Sequence, residues 1–187
     1  AWETTTLCQQ VFGGHGYIAE WGMEQFVRDA RINMIYEGTN GIQALDLLGR
    51  KVLMDGGAKF GRFAALVQAF IEENAGRPEL AEFTTPLAKL LADTAALTRE
   101  IGGKAKADPN EVGAAAVPYL RITGHLCFAW LWARMAALAL GKDDEFHAAK
   151  LATARFYFAW LLPEVEQRFR EARAGAPTLM AMPADAF

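Results

Sequence analysis

The sequence has little that could build a metal centre or a disulfide framework. Its 187 residues include two cysteines and three histidines. Cys8 and Cys127 lie far apart and match neither a zinc-finger spacing nor a disulfide pattern, so we expect buried, reduced thiols and a cytoplasmic setting. Because His15, His125 and His147 show no spacing typical of metal ligands, the sequence predicts no metal site.

Basic clusters and long apolar runs are missing as well. The formal net charge is -3 and no basic run occurs, so nucleic acid is not an expected partner. Residues 126–140 are apolar except for Arg134, but a membrane-spanning helix needs about 20 such residues, so no transmembrane segment is predicted. We expect this run and residues 151–162 to form the core of a helical bundle, with core plus a subunit interface as the alternative.

Helical periodicity runs through the whole sequence, which predicts an all-α fold. In the first part we expect a helix to about Phe12, a helix from Met23 to about Ile35, and a helix from Asn40 to about Leu53. The triplet at residues 55–57, Asp-Gly-Gly, then breaks the pattern and marks the likeliest boundary. Two domains follow from this break, residues 1–55 and residues 58–187.

The second domain is predicted to be an up-down helical bundle. Four apolar-striped segments, separated by Gly and Pro signals, indicate four helices with short connections. The expected bounds are 58 to about 74, 78 to about 101, 109 to 140 with a kink possible at Pro118, and 143 to about 174. The apolar stripe of the second helix consists of Leu80, Phe83, Leu87, Leu90, Leu91 and Leu97.

One stretch, residues 10–43, carries several motifs in a fixed order: QVFGGHGYIAEWGMEQFVRDARINMIYEGTNGIQ. It resembles the end of the catalytic core of the flavin-dependent acyl-CoA dehydrogenases, which share an FGG-x-G-[FY] turn, an RD-[AS] helix and a [YE]-G-T segment. The run GRKVLMDGGAKF, residues 49–60, resembles a subgroup with an extra C-terminal helical domain. The resemblance therefore implies that residues 1–55 end the catalytic helical domain and that the extra bundle follows.

The resemblance implies that Glu37 is the catalytic base. In this family a carboxylate removes the proton alpha to a thioester carbonyl while the beta hydrogen leaves as hydride to FAD. An ordinary Glu, with a pKa of about 4.3, is a weak base, but burial against apolar walls raises that pKa. Tyr36 and Gly38 flank the acid and are expected to line the acyl-CoA site. The Glu37 backbone N–H is expected to polarise the thioester carbonyl.

A simpler interpretation of Glu37 rests on the residues alone. An acid before Gly-Thr is typical of a solvated helix start, with Thr39 as the cap of the helix that follows. In the family, the segment after the base touches the adenosine-diphosphate side of the flavin. That position corresponds here to Thr39, Asn40 and Gly41. Many members carry a polar side chain where this chain has Gly41, so the contact would come from the backbone or from Asn40.

The FGGHG turn lacks the preceding strand and the GxGxxG spacing of a phosphate-binding loop. The resemblance instead implies a contact with the FAD of a neighbouring subunit. The residues that match this contact are Gln10, Val11, Phe12, Gly13 and Gly14. An alternative is a helix C-terminus with glycines in left-handed conformations, and the two interpretations are compatible. Arg28 and Asp29 match the RD of the family, where they are expected to form a structural ion pair.

These observations lead to two functional hypotheses. The first is an oxidoreductase for alpha,beta-dehydrogenation of an acyl-CoA, with FAD as cofactor, electron-transfer flavoprotein as the next acceptor, and a tetrameric or dimeric homo-oligomer; an acyl-CoA oxidase is a sister possibility. The second is a non-catalytic helical module for oligomerisation or partner docking. The chain opens as if inside a helix, without a start signal, so we expect a C-terminal fragment that is inactive alone.

Overall fold

Helices dominate the backbone in this computed structural model, which describes residues 1–36 and 38–186. No β-strand occurs in those ranges, and the predicted all-α class is confirmed. Glu37, the predicted base, lies outside the described residues. Internal contacts divide the chain into two units, Ala1–Gln43 and Ala44–Phe187. The boundary predicted at residues 55–57 stays a prediction, although Gly56 and Gly57 do turn the chain there with φ of 66° and 85°.

The first unit is a pair of short helices joined by tight turns. Helix α1 spans Trp2–Val11 and helix α2 spans Met23–Ile32. Two 3-10 turns, Gly13–Tyr17 and Ala19–Trp21, connect them. Gly22 precedes α2 with a left-handed φ of 72°, a conformation that glycine adopts without steric cost. Helix α2 ends three residues before the predicted Ile35, and turns continue the chain as far as Tyr36.

The helix predicted over residues 40–53 is divided in two. Helix α3 spans Asn40–Leu45, and a π-helical segment continues over Asp46–Leu53. In a π-helix the N–H of one residue bonds the carbonyl five residues earlier, as Met54 N does to Gly49 O at 3.0 Å. Leu48 and Val52 from this segment are buried in the core of the second unit.

The second unit contains the longer helices. They are α4 (Ala58–Glu73), α5 (Ala81–Lys104, after a 3-10 turn at Pro78–Leu80), α6 (Asn110–Ala139), α7 (Glu145–Phe156), a π-helical segment (Tyr157–Leu161), α8 (Glu164–Ala174) and α9 (Pro177–Met180), with a last 3-10 turn at Ala184–Ala186. Helix α6 packs against α5, α7 and α8, so the core lies around it. The predicted apolar stripe of α5 is buried throughout, as expected.

The fourth predicted helix is interrupted. It begins as expected at the acidic segment, where Asp144 Oδ1 accepts the backbone N–H of His147 at 3.1 Å. It does not continue to residue 174, because Pro163 has no N–H to donate to the preceding turn and its ring crowds that turn. The helix therefore ends through the π-helical segment and restarts as α8 at Glu164.

Helix α6 buries several alanines and leaves some of its large apolar residues exposed. Ala129, Ala133 and Ala136 are fully buried, whereas Phe128 and Leu138 are exposed. A core role alone therefore does not account for residues 126–140.

The prediction that both thiols are buried is also wrong, since Cys8 is exposed and Cys127 is half-buried. Among the described helices, none is both long enough and apolar enough to cross a membrane.

Candidate functional site

The FGG turn lies where α1 ends. Gln10 and Val11 close the helix, and the exposed Phe12 follows as its cap. Gly13 then takes a left-handed φ of 59°, as the helix-end interpretation predicts. A Cβ added at Gly13 or Gly14 would meet no atom within 4 Å. The backbone here is therefore open, so a flat group could lie directly against it.

Gly16, in the same turn, has a structural role that the sequence analysis missed. It is buried, and a Cβ at this position would collide with the backbone oxygen of Gln9 and lie 2.9 Å from Phe12 Cβ. The Gln9 side chain also donates to the Gly16 carbonyl at 3.1 Å. The third glycine of GGHG was the available signal, because glycine permits such close backbone approach.

The second group of predicted site residues lies near the other end of the α1–α2 pair. The Arg31 guanidinium lies over the Trp2 ring at 5.3 Å, and Ile35 lines the same shallow cleft as Trp2. The start of α1 is therefore beside the end of α2. Since ten helical residues span about 15 Å, the FGG turn and Ile35, next to Tyr36, lie at opposite ends of the α1–α2 pair.

The backbone at Gly38 and Thr39 has an unusual conformation. Gly38 has a φ of 94° and Thr39 a φ of 33°. A positive φ in a β-branched residue is strained, and strain of this kind is often found at functional sites. Thr39 Oγ1 accepts the Ile42 N–H at 3.4 Å, which confirms the predicted cap. On the N-terminal side, the Tyr36 hydroxyl donates to Asn33 Oδ1 at 3.1 Å.

Gly38 and Gly41 differ in whether their surroundings leave room for a side chain. A Cβ on Gly38 would lie 3.0 Å from Gln43 Nε2, so both space and φ favour glycine. A Cβ on Gly41 would meet nothing within 4 Å, so the surroundings of this position would accept a side chain. Asn40 is exposed beside it.

The predicted ion pair between Arg28 and Asp29 does not form. Arg28 approaches Glu24 at 3.9 Å instead, and Asp29 accepts a hydrogen bond from Gln25 at 2.7 Å. Both contacts join residues four apart, which share a face of the helix, whereas neighbours in sequence point apart. The two charged residues are both exposed on α2.

The second unit contains a charged cluster that the sequence analysis did not find. Arg121 on α6 holds the Glu164 carboxylate with hydrogen bonds of 2.8 to 3.0 Å, and Arg168 donates to it at 2.8 Å. Burial acts to raise the pKa of Glu164, but the hydrogen bonds from the two arginines outweigh it and lower this pKa to about 2. Arg121 and Glu164 are 43 residues apart in sequence, so no local pattern predicts their contact, whereas Glu164 and Arg168 are four apart on one helix.

His125 and Tyr157 extend this cluster into the core. His125 Nδ1 lies 2.9 Å from the Tyr157 hydroxyl, and His125 Nε2 lies 3.5 Å from Glu164. Burial lowers the pKa of His125, although the Glu164 carboxylate opposes this shift. Burial also raises the pKa of the Tyr157 hydroxyl. The cluster ties α6 to the π-helical segment and α8, and its carboxylate is fully engaged by arginines, which favours a structural role.

Two family profiles match the chain, one for each part. Residues 1–53 match the profile described as acyl-CoA dehydrogenase, C-terminal domain. Residues 63–183 match the profile described as acetyl-CoA dehydrogenase C-terminal like. Together the two matches cover the site segment and the helical bundle in the order that the sequence motifs predicted.

Curated relatives agree with the profiles. The chain is 44% identical over 168 residues to 3-methylmercaptopropionyl-CoA dehydrogenase of Ruegeria pomeroyi, which covers 87% of this chain and 29% of that relative. It is 32% identical over 177 residues to the broad-specificity linear acyl-CoA dehydrogenase FadE5 of Mycobacterium tuberculosis, with the same two coverages. A butyryl-CoA dehydrogenase of Syntrophomonas wolfei is 28% identical over 196 residues, covering all of this chain and 32% of the relative. The chain thus spans less than a third of the length of these relatives.

Proposed function

The chain belongs to the acyl-CoA dehydrogenase family, and on that premise we propose that it supplies the catalytic base of an alpha,beta-dehydrogenation of an acyl-CoA thioester. The base is Glu37. The observation that carries the proposal is the left-handed backbone at Gly38 and Thr39, directly after the acid in the family's motif. Gly38 leaves the backbone beside the acid open to a substrate, and strain of the kind found at Thr39 is frequent at functional sites.

The residues of this chain have distinct roles in the proposed reaction. The Glu37 carboxylate takes the proton from the carbon alpha to the thioester carbonyl, and a carbon–carbon double bond forms as the beta hydrogen leaves as hydride. The Glu37 backbone N–H stabilises the negative charge that develops on the carbonyl oxygen. Tyr36 and Gly38 line the substrate site on either side. An acid in this role works best when apolar surroundings bring its pKa towards the working pH.

FAD, when bound, supplies the hydride acceptor. The FGG turn has room for a flat ring system beside its glycines, because a Cβ added at Gly13 or Gly14 would meet no atom within 4 Å other than those of its sequence neighbours. We assign that contact to Gln10, Val11, Phe12, Gly13 and Gly14. Thr39, Asn40 and Gly41 are assigned to the adenosine-diphosphate side. The two groups lie at opposite ends of the α1–α2 pair, which supports an arrangement in which one of them serves the flavin of a neighbouring subunit.

The partners follow from this chemistry. An acyl-CoA is the substrate, and electron-transfer flavoprotein is the proposed acceptor of the electrons in a cytoplasmic homo-oligomer, a dimer or a tetramer. Residues 1–55 are proposed to end the catalytic helical domain and residues 58–187 to form the extra bundle. Because the residues assigned to the flavin contact, Gln10–Gly14, are all exposed in this chain, we propose that it is inactive alone. Added FAD should then stay unbleached by an acyl-CoA.

The decisive experiment replaces Glu37 by Gln in the flavin-containing holoenzyme of which this chain is proposed to be the C-terminal part. The amide keeps the size of the side chain but cannot take a proton, so FAD should be retained and dehydrogenation should fall by about 100-fold to 10,000-fold. Glu20→Gln is the matched control, since Glu20 is an exposed acid in the same unit and should leave turnover unchanged. Near-normal turnover of Glu37→Gln would overturn the assignment.

A role in assembly is a second function that a specific observation favours. Large apolar side chains are exposed along α6 and α7, beyond what the bundle core uses. Exposed apolar surfaces of this kind are typical of sites that bind another protein. This role is compatible with catalysis, because a subunit interface and a catalytic base can belong to the same chain.

A further inference from the structure

A cavity in the second unit is lined by basic residues and by no acid among the residues that the structure describes. It lies where the end of α5 faces the π-helical segment Asp46–Leu53 and the start of α4, and its volume is about 460 Å³. Sites for small molecules usually enclose about 300–1,000 Å³. We call it the basic cavity, and its main lining residues are Gly56, Gly57, Phe60, Arg99, Gly103 and Lys106.

Arg99 and Lys106 supply the charge of the basic cavity. They are seven positions apart, near the end of α5 and just beyond it, so about two helical turns bring them to the same side. Both side chains are exposed, and within the described ranges neither forms an ion pair or a hydrogen bond. Two cations beside one cavity, with no acid among its lining residues, attract an anion.

The acids next to the lining residues in sequence are engaged elsewhere. Asp55 binds Lys59 at 3.4 Å, and Glu100 binds Lys104 at 2.9 Å. Asp108, two residues after Lys106, accepts a backbone N–H at 2.9 Å at the start of α6. The positive charges of Arg99 and Lys106 are therefore not compensated locally, and a ligand with a double negative charge is complementary to the pair.

The remaining walls of the basic cavity suit a flat apolar group. Phe60 is half-buried against the core and offers an aromatic ring, and Leu53 continues this wall. A Cβ added at Gly56, Gly57 or Gly103 would meet no atom within 4 Å apart from its own local backbone and sequence neighbours. Flat rings bind well to aromatic side chains in such open space, because their faces stack.

We propose that the basic cavity binds a free nucleotide, with the phosphate between Arg99 and Lys106 and the base against Phe60. An arginine can hold two phosphate oxygens at once, and a lysine adds a compact positive charge. The nucleotide ends of FAD and of an acyl-CoA have the same chemistry, but the contacts assigned to those molecules above use residues 10–41 only. The basic cavity is thus a separate site, and it does not depend on the role of Glu37.

The test is a calorimetric titration of the 187-residue chain with adenosine monophosphate (AMP). For a ligand of this size we expect a Kd of about 10–100 µM. Adenosine and inorganic phosphate should each bind at least about 10-fold more weakly, because each makes only half of the contacts. Coenzyme A, titrated in parallel, distinguishes the two sources of a nucleotide: it should bind no more tightly than AMP. A coenzyme A affinity at least about 10-fold higher than that of AMP would overturn the assignment to a free nucleotide.

Charge-removing variants locate the phosphate. Arg99→Gln and Lys106→Gln should each weaken AMP binding by about 5-fold to 20-fold, the low end of what a charged hydrogen bond contributes, because both side chains are exposed. Arg170→Gln and Lys142→Gln are the matched controls. Both replace exposed cations outside the basic cavity, so both should bind AMP like the unchanged chain.

A variant that fills the basic cavity tests the proposal without removing a charge. Gly103→Leu places a large side chain in the open space, and it should fold normally because leucine favours a helix more than glycine does. AMP binding should fall by at least about 10-fold. Gly113→Leu, at an exposed position of α6 with the same free space, is the control and should bind AMP normally.

Two results would overturn the proposal. The first is a chain that shows no saturable binding of AMP. The second is AMP binding that stays unchanged in both Arg99→Gln and Gly103→Leu, since the nucleotide would then occupy another site, such as the one assigned to FAD or the acyl-CoA. Circular dichroism of every variant confirms that it is folded before its affinity is compared. Neither result bears on Glu37, whose test measures turnover.

Discussion

The two units of this chain differ in where they place their large apolar side chains. In the first unit, as far as the structure describes it, Ala30 is the single buried hydrophobic residue, whereas Leu7, Val11, Tyr17 and Phe26 are exposed. In the second unit, a continuous core surrounds α6. The unit with the motifs of residues 10–43 therefore has almost no core of its own, whereas the unit with the core carries the run at residues 49–60.

Residues that stabilise the fold and residues of the candidate site therefore lie mainly in different units. The second unit buries its apolar surface internally, so substitutions there should act on stability. The first unit leaves its apolar surface for other molecules or chain segments to cover, so substitutions there should act on binding and chemistry. The second unit also leaves some large apolar side chains exposed, among them Leu66, Leu138 and Phe146.

The largest expected effect is a cavity in the second unit. Leu126 is fully buried on α6, and Leu126→Ala should lower the free energy of unfolding by about 2–5 kcal/mol. Phe26→Ala removes a larger side chain from the first unit, where Phe26 is 62% exposed, and should change stability by less than about 0.5 kcal/mol. Urea unfolding followed by circular dichroism measures both. Equal losses in the two variants would show that the contrast between the units is wrong.

Acid should weaken the second unit through the charged cluster around Glu164. The pKa of Glu164 is lowered to about 2, so its contribution is present above its ordinary pKa of 4.5 and is lost as the pH falls towards 2. The pKa of His125 is lowered too, so its contribution is lost as the pH falls below its ordinary value of 6.5. Both groups therefore make the folded state less stable as the pH falls.

Glu164→Gln should therefore lose about 1.5–3 kcal/mol at pH 7 and show a shallower fall in stability below pH 4.5. Glu73→Gln, an exposed acid at the end of α4, is the control and should follow the unchanged chain. The measurement is the free energy of unfolding from pH 7 to pH 3. An unchanged acid slope in Glu164→Gln would refute the role of the cluster.

Gly16 allows the first unit to be perturbed by a substitution at a residue that is not itself a predicted site residue. Gly16→Ala places a methyl group against the Gln9 backbone, which cannot move away as a flexible side chain could. We expect a cost of about 1–3 kcal/mol, confined to the first unit. Hydrogen exchange of peptides within residues 1–43 should accelerate, while the second unit stays protected. Gly14→Ala, where a Cβ meets nothing within 4 Å, should leave exchange unchanged; acceleration in both variants would contradict the packing role.

Long amphipathic helices were predictable because their periodicity is local. Helix α6 was predicted over residues 109–140 and spans Asn110–Ala139, and every predicted core residue of α5 is buried. The interruption at Pro163 was missed, although proline has a clear local signature. The π-helical segments carry no comparable signature, since they depend on tertiary packing.

Contacts between distant residues were not predictable. The pairing of Arg121 with Glu164 spans 43 residues, and the exposure of Phe128 depends on which side of α6 the bundle covers. For the candidate site, the motif identified the segment, and the Thr39 cap is as predicted. The role of Glu37 and the cofactor contacts stay predictions, because they depend on a bound substrate and flavin.

Exchange of the alpha proton of an acyl-CoA tests the central proposal most directly, because it isolates the step assigned to Glu37 from hydride transfer. The holoenzyme would be incubated anaerobically with a saturated acyl-CoA in D₂O, and deuterium at the alpha carbon would be followed by NMR. Our account predicts incorporation by the unchanged enzyme and a rate at least about 100-fold lower in Glu37→Gln with its flavin retained. Incorporation at the unchanged rate in that variant would contradict the assignment of Glu37 as the base.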